Sequence, residues 1–343
     1  MAKTGAATIV DVARLAGVSP AAVSKVIRGA YGVSPSMRER VEAAIDQLAY
    51  RPRIAARAMR GSTFSIGIEL PHPGYHFFTK ILQGATAALR DTRYRPIVVP
   101  TATDAERDGR ALDMLADHQV DGIVAVSPLV SPDRLERIAA RTPVVMLGRH
   151  DRTASYDTVT GDDVEGTRLV MEHLLGLGHR RVAYLVQRGQ AAMPGIGTPQ
   201  ELRMERYLEH MRGAGLGEAA RIVRTADGDL VPESAVEELL APERPTAILV
   251  GRHELALELL QALAERGLSR AEVAVAGYDD TYLAGHPAVG LTCVDQDGAE
   301  MGAKAIRLLL ERIGGRTEAA HLTVEPTLKA RASTRPVRRE PAE

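Results

Sequence analysis

Residues 8–60 read TIVDVARLAGVSPAAVSKVIRGAYGVSPSMRERVEAAIDQLAYRPRIAARAMR. Thr8 is placed to cap a helix, with Asp11 three residues on as its acidic partner. Ile9, Val12, Ala13 and Ala16 recur at helical spacing and mark a buried stripe. Gly17 suits the left-handed residue that ends such a helix. Ser19 then caps a second helix, with Pro20 at its first position, where no backbone donor is needed. Helix, short glycine turn, helix is the helix-turn-helix pattern. A third helix starts the same way at Ser34-Pro35, with Met37, Val41, Ile45 and Leu48 as its apolar stripe, and Tyr50-Arg51-Pro52 stops it.

The second helix is the one expected to enter a DNA major groove. Val23, Val26 and Ile27 are expected to face inward, leaving Ala21, Ser24, Lys25 and Arg28 on one outer face beside Pro20. Lys25 is the candidate for a guanine contact, while Ser24 and Arg28 suit phosphate as well, which orients a protein without reading sequence. Residues 53–60, RIAARAMR, are basic and amphipathic but too short to be stable alone. They fit a flexible linker, or a hinge that turns helical on DNA with an apolar residue wedged between base steps.

Charge supports a polyanion partner for this segment alone. Residues 1–62 hold ten Lys/Arg against four Asp/Glu, a net +6, and the whole-chain charge of −1 leaves −7 for the rest. A solvated basic face fits the same numbers, so charge by itself does not decide. With 343 residues the chain suits two or three domains, and no run of about 18 apolar residues suggests a membrane span. The opening MAKTGAATIVDVARLAG lacks the apolar core of a secretion signal, and the single cysteine cannot close an internal disulfide. A cytoplasmic setting is expected, with Cys293, in VGLTCV, as a buried structural residue.

From Phe64 onward short apolar runs alternate with helical ones. Strands are expected at 65–70, 96–99, 122–126, 144–147, 182–186, 247–250 and 273–276, with helices between them and a last one at 297–314. Such alternation implies an α/β fold with parallel sheets, and two sheets fit the length. No GxGxxG or GxxxxGK[ST] string occurs, so no nucleotide phosphate cradle and no cofactor is expected. Neither GxSxG, HExxH nor CxxC occurs, and the adjacent pairs His150-Asp151 and His253-Glu254 make poor dyads, so an enzyme is not expected. Leu177-Gly178-His179-Arg180-Arg181 reads as a helix end with its charges against the negative terminus, and not as a metal site.

The strings Asp11-Val12-Ala13, Ala16-Gly17-Val18-Ser19, Val23-Ser24-Lys25-Val26, Val33-Ser34, Arg40-Val41, Leu48-Ala49-Tyr50 and Ala56-Arg57 resemble the lactose-repressor-type (LacI/GalR) family of bacterial transcription regulators. The likeness runs through almost the whole chain. It implies a helix-turn-helix headpiece (1–52), a hinge helix (53–62) and a two-lobed periplasmic-binding-protein-like core. The first lobe would comprise 63–161 plus 292–322, the second 162–291 plus 323–336, with a disordered tail at 337–343. The implied function is a repressor that binds a palindromic double-stranded DNA operator as a homodimer and answers to a small-molecule effector in the inter-lobe cleft, a sugar or sugar derivative among the candidates. The implied DNA contacts are Thr8, Ser19, Pro20, Ala21, Ser24, Lys25, Arg28, Arg53, Ala56, Arg57 and Met59, with Met59 where the family has a wedging leucine. Lys25 replaces the family's arginine and Arg53 its asparagine, so operator sequence does not carry over.

Ligands in such cores bind outside the carboxyl ends of strands. That rule and the resemblance together pick Tyr75, Phe77, Arg149, Asp162, Arg203, Arg252 and Asp279 as effector residues. Arg203 falls where the family clamps effector, and Asp279 where it binds hydroxyls. Arg252 departs from the family's asparagine and points to an anionic or larger effector, or to an altered, unused pocket. The chain has no Trp and three Phe, a thin supply of stacking platforms for sugar. A transport protein would share the core but not residues 8–60. The open alternatives are therefore a regulator without a working pocket and, in another class, a cytoplasmic sugar-binding protein.

Overall fold

A computed structural model describes residues 7–27, 30–51, 62–71, 74–101, 109–126, 130–187, 197–225, 231–241 and 243–337. They belong to two compact units, Met1–Thr63 and Phe64–Glu343. The first holds α1 (Ile9–Ala16), α2 (Pro20–Ile27) and α3 (Pro35–Gln47). Its caps are those the sequence signals. Thr8 Oγ1 accepts the Asp11 N–H while Asp11 Oδ2 accepts the Thr8 N–H, at 3.4 and 3.0 Å. Ser19 Oγ accepts the Ala22 N–H and Ser34 Oγ the Met37 N–H, at 3.1 and 3.3 Å. Gly17, at φ +65, closes α1. Val12, Ala13, Ala16, Val23, Val26, Val41, Ala44 and Tyr50 form the core, with Met37, Ile45 and Leu48 packed beside it.

Helix α2 corrects two expectations. Ser24 is buried at 8% exposure, whereas Ile27 is 36% exposed. Ser24 follows Val23 and is small enough to fit the packed face. Ile27 is the last residue of a two-turn helix, where fewer neighbours cover it. Arg28, Arg53, Ala56, Arg57 and Met59, and with them the hinge expectation, lie outside the described residues.

The second unit continues with β1 (Ser65–Leu70), α4 (His76–Leu89), β2 (Arg95–Pro100), α5 (Arg110–Asp117), β3 (Gly122–Ala125), α6 (Pro132–Ala139), β4 (Val144–Leu147) and β5 (Asp157–Gly161). Then come α7 (Asp163–Gly176), β6 (Val182–Gln187), α8 (Pro199–Gly213), β7 (Arg221–Thr225), α9 (Glu233–Leu239), β8 (Ala247–Val250), α10 (His253–Glu265) and β9 (Ala274–Tyr278). The last elements are α11 (Tyr282–Gly285), β10 (Thr292–Asp295), α12 (Gly298–Ile313), β11 (His321–Val324) and β12 (Thr327–Lys329).

Two six-stranded sheets result, in the orders β11-β5-β4-β3-β1-β2 and β12-β10-β9-β8-β6-β7. All pairings are parallel except β10 with β12. Strands β3, β4 and β8 are apolar on both faces because helices cover both, which is why they read as unbroken runs. Apolar clusters flank each sheet, one pair around Ile66, Val145 and Leu112, the other around Ile248, Leu259 and Tyr184. Helix α12 returns to the first sheet and meets α4 at close range. A Cβ at Gly84 would stand 1.8 Å from the Ala299 carbonyl oxygen, and one at Gly302 2.0 Å from that of Ile81, so only glycine fits at either position.

Sheet membership moves two of the three expected crossings. The first falls between Gly161 and Asp163, near 161. Strand β10 pairs within the second sheet, so the second crossing lies at 296–297 and not near 291. Strand β11 pairs with β5 in the first sheet, so the third lies at 325–326 and not near 322. Residues 292–295 therefore belong to the second lobe and 323–324 to the first. Val337, expected in a disordered tail, donates its N–H to the Leu177 carbonyl at 3.1 Å. The remainder of that tail lies outside the described residues.

Candidate functional site

Two surfaces are candidates, one in each unit. In the first unit Ser19, Pro20, Ala21 and Lys25 are exposed at and after the α2 N-terminus, as a groove-reading face requires. Thr8 is exposed, but its hydroxyl donates to Asp11 Oδ2 at 2.7 Å and is engaged in capping. Ser24 is buried, which removes it from that outer face. Tyr31 is 104% exposed in the turn before α3. A lone turn tyrosine carries no spacing signal in the sequence.

In the second unit a cavity of about 120 Å³ opens between the lobes. Pro71, Val126 and Gly148 reach it from just beyond β1, β3 and β4, and Arg252, Asp279 and Gln296 from just beyond β8, β9 and β10. Parallel strands thus aim both lobes' loops at one space. Tyr75, Phe77 and Phe78, at the start of α4, supply an apolar wall. Gln200 and Arg203 enter from α8.

Arg203 is 3% exposed, and each of its three guanidinium nitrogens has a partner. Its Nε donates to Asp163 Oδ1 at 2.5 Å, Nη1 to the Gly251 carbonyl at 3.2 Å and Nη2 to Gln296 Oε1 at 2.7 Å. The guanidinium lies 3.8 Å from the centre of the Tyr278 ring. Asp163 also meets His150 Nε2 at 2.7 Å. Burial is the largest influence and opposes its charge, but Arg203 and His150 together outweigh it and hold the carboxyl below the ordinary aspartate range. Arg203 therefore lines the cleft and also pins its floor.

Asp279 behaves differently. Burial pushes its carboxyl up to about 6, against the pull of Arg203. Oδ1 accepts from Gln296 Nε2 at 2.5 Å. Its φ of +69 turns it off the end of β9 into the cleft, a conformation that a short polar side chain tolerates.

Arg252 is 6% exposed, with its guanidinium 4.0 Å from the centre of the Tyr75 ring. None of its three guanidinium nitrogens has a hydrogen-bond partner among the described residues. Glu254 Oε2 stands 3.8 Å from its Nε, and Glu254 Oε1 accepts the His76 N–H at 3.1 Å.

Two expected effector residues do other work. Arg149 is fully buried away from the cleft lining, donates to the Val130 carbonyl at 2.5 Å and pairs with Asp151 at 2.8 Å. Asp162 caps α7 by accepting the Glu165 N–H at 2.9 Å. Of that aspartate pair, Asp163 is the one joined to the cleft. The lining residues outside the expected set include Gln200, Glu254 and Gln296. Gln296 was hidden because β10 was not read as a strand, so its strand-end position went unnoticed.

Other polar residues are structural, as expected. Cys293 is fully buried, and burial with the nearby Asp280 pushes its thiol well up. His179 is buried between Thr246 Oγ1 and the Arg335 carbonyl, both at 3.0 Å, and burial lowers its basicity. Arg180 donates to the Leu175 carbonyl at 2.9 Å, at the C-terminal end of α7. Among the described residues no cluster of three metal-ligating side chains occurs, and no helix is long and apolar enough to cross a membrane.

A helical DNA-reading headpiece joined to a two-lobed, parallel-sheet binding core defines a ligand-responsive class of DNA-binding regulator. The comparisons place the chain within that class. Residues 8–53 match the family described as bacterial regulatory proteins, lacI family, and residues 171–334 match the periplasmic binding protein-like domain. The ribose operon repressor of Escherichia coli (strain K12) is 32% identical over 335 residues, covering 95% of this chain and 99% of that protein. Among solved structures, the Lac repressor bound to ONPG in the repressed state aligns with a TM-score of 0.80 at 26% identity, over 96% of this chain and all of that one. The transcriptional regulator CelR in complex with cellobiose aligns with a TM-score of 0.67 at 29% identity, over 95% and 99%. The chain belongs to the LacI family of bacterial regulatory proteins and is a DNA-binding transcription regulator.

Proposed function

We propose that this regulator is a cytoplasmic repressor that binds a palindromic operator as a homodimer and that a small molecule in the inter-lobe cleft sets its affinity for DNA. The observation that carries the effector reading is the cleft itself. Side chains from both lobes and from a crossing segment converge there, so an occupant's contacts depend on how the lobes are arranged. Repression is supported by the relative named for it, and a sugar-like occupant by the cellobiose held by CelR. Dimerisation follows from size. One small headpiece makes too few contacts for tight specific binding, and two on one palindrome gain from effective concentration. Binding, and not catalysis, is the work of the cleft.

The test is gel shift on genomic fragments, with full-length protein and with protein lacking residues 1–60, joined to sedimentation. A discrete shift by full-length dimer, lost on truncation and altered by a cleft ligand found by thermal shift, supports the reading. A monomer on DNA sinks the dimer, and a shift that survives truncation sinks the headpiece assignment.

A further inference from the structure

We propose that the cleft takes a hydroxyl-rich ligand bearing an oxyanion, a carboxylate or phosphate, and that Arg252 holds that group. The inference rests on reading the cleft as the effector site. A guanidinium presents five N–H donors, and burying them unmet is costly, so the occurrence needs an explanation. The side chain of Arg252 is 7% exposed, lines the cleft, and has no hydrogen bond at Nε, Nη1 or Nη2 among the described residues. Arg203, in the same lobe and bonded to the Gly251 carbonyl beside Arg252, spends donors of Nε, Nη1 and Nη2 on the protein. The two arginines therefore have different work: one closes the floor and the other is left for the occupant.

The surroundings hold Arg252 ready without filling its donors. The Tyr75 ring supports the guanidinium at 4.0 Å by cation–π contact and leaves the N–H fork unpaired. Glu254, at 3.8 Å, offsets charge but is beyond hydrogen-bond reach. Arg252 is also the N-cap of the 13-residue α10, where no side chain caps the helix. The residue that carries the guanidinium thus also opens the helix, at the positive end of its dipole. An oxyanion matches that fork with two parallel hydrogen bonds, which a neutral hydroxyl cannot do. Asp279, with one oxygen bonded to Gln296, lines the same cleft and accepts from ligand hydroxyls. The two side chains together describe an acidic polyol.

Calorimetric titration of the full-length protein decides. The probes are ribose, ribonate and ribose 5-phosphate, and glucose, gluconate and glucose 6-phosphate. At least one acidic form is expected to bind at least about tenfold more tightly than its neutral parent. The aldonate and phosphate arms tell a carboxylate from a phosphate. Arg252→Gln is expected to bring that ratio close to one, and Arg252→Lys, which keeps charge but loses the fork, to leave an intermediate ratio. Thermal melting of each variant without ligand checks that it is folded. If a neutral parent binds as well as its acids, the oxyanion inference falls and the effector reading stands. A preference that survives both variants also overturns the role of Arg252. Silence from all six probes sinks the inference and leaves the effector reading to be decided by the thermal-shift search.

Discussion

Replacing Arg203 with Met should destabilise the second unit by about 3–5 kcal/mol at neutral pH, because removing one member of a buried ion pair strands the other. Asp163 is 1% exposed, and without Arg203 it keeps only His150 at 2.7 Å. Gly251 does not add much to the loss, since its carbonyl still accepts from Gln200 Nε2 at 2.7 Å. The pH dependence carries the sharper sign. In the wild type Asp163 titrates below its ordinary value, so its contribution is present at neutral pH and fades as pH falls through that depressed value. Without Arg203, burial dominates and raises the same carboxyl. The stranded charge then costs most at pH 7.5, and the cost shrinks toward pH 5 as the proton returns. Arg203→Met combined with Asp163→Asn removes both charges and should recover at least about 2 kcal/mol of the loss. Urea titration followed by tyrosine circular dichroism reads this lobe, whose core contains Tyr184, Tyr207 and Tyr278. A loss under about 1 kcal/mol, a loss equal at both pH values, or a double variant no better than the single would refute the network as described.

Burial raises the Asp279 carboxyl to about 6, so its ionised form opposes folding. Its contribution should therefore make the protein less stable as pH rises from about 4 through 6, by up to about 3 kcal/mol, and Asp279→Asn should flatten that slope in denaturant titrations. Gly302→Ala places a Cβ 2.0 Å from the Ile81 carbonyl oxygen and must separate α12 from α4. We expect about 3 kcal/mol of lost stability, and a melting temperature within a degree or two of wild type would contradict it. Lys25→Ala should weaken operator binding by about 1–3 kcal/mol while changing non-specific binding less, as measured by competition gel shift. Ser19→Ala should cost about 1 kcal/mol of headpiece stability through the lost bond to the Ala22 N–H, and an unchanged headpiece melting curve would show the cap to be idle.

Legibility in the sequence followed burial. Strands β4 and β8 are apolar on both faces, and their expected bounds coincide with the observed ones. Strand β5, DTVTG, was missed because its polar residues are buried against distant partners: Asp157 accepts from Arg312 at 2.9 Å and Arg316 at 2.6 Å. No local pattern announces a pairing more than 150 residues away. The strand-end rule brought Tyr75, Phe77, Arg252 and Asp279 to the cleft lining. It failed for Arg149, whose charge is consumed inside its own lobe, and for Asp162, which caps a helix. Charge drew attention to those two, while neutral Gln200 and Gln296 drew none. Which arginine is spent and which is free depends on neighbours, and that was invisible until the chain was folded.

The close approach of α12 to α4 also sets the order in which the molecule can be assembled. A nascent chain emerges with β1 to β5 first, yet that sheet lacks its edge strand β11, and α4 lacks the helix that its glycine is shaped to receive, until residues 298–324 have been made. The whole second lobe, apart from β12, is synthesised in the interval. Half of the binding core must therefore wait, with apolar surface uncovered, for its closing pieces, and the contacts that finish it are of long sequence separation and correspondingly slow to form. Both lobes mature late and nearly together, so a chain truncated before about residue 324 loses not one lobe but the completion of both.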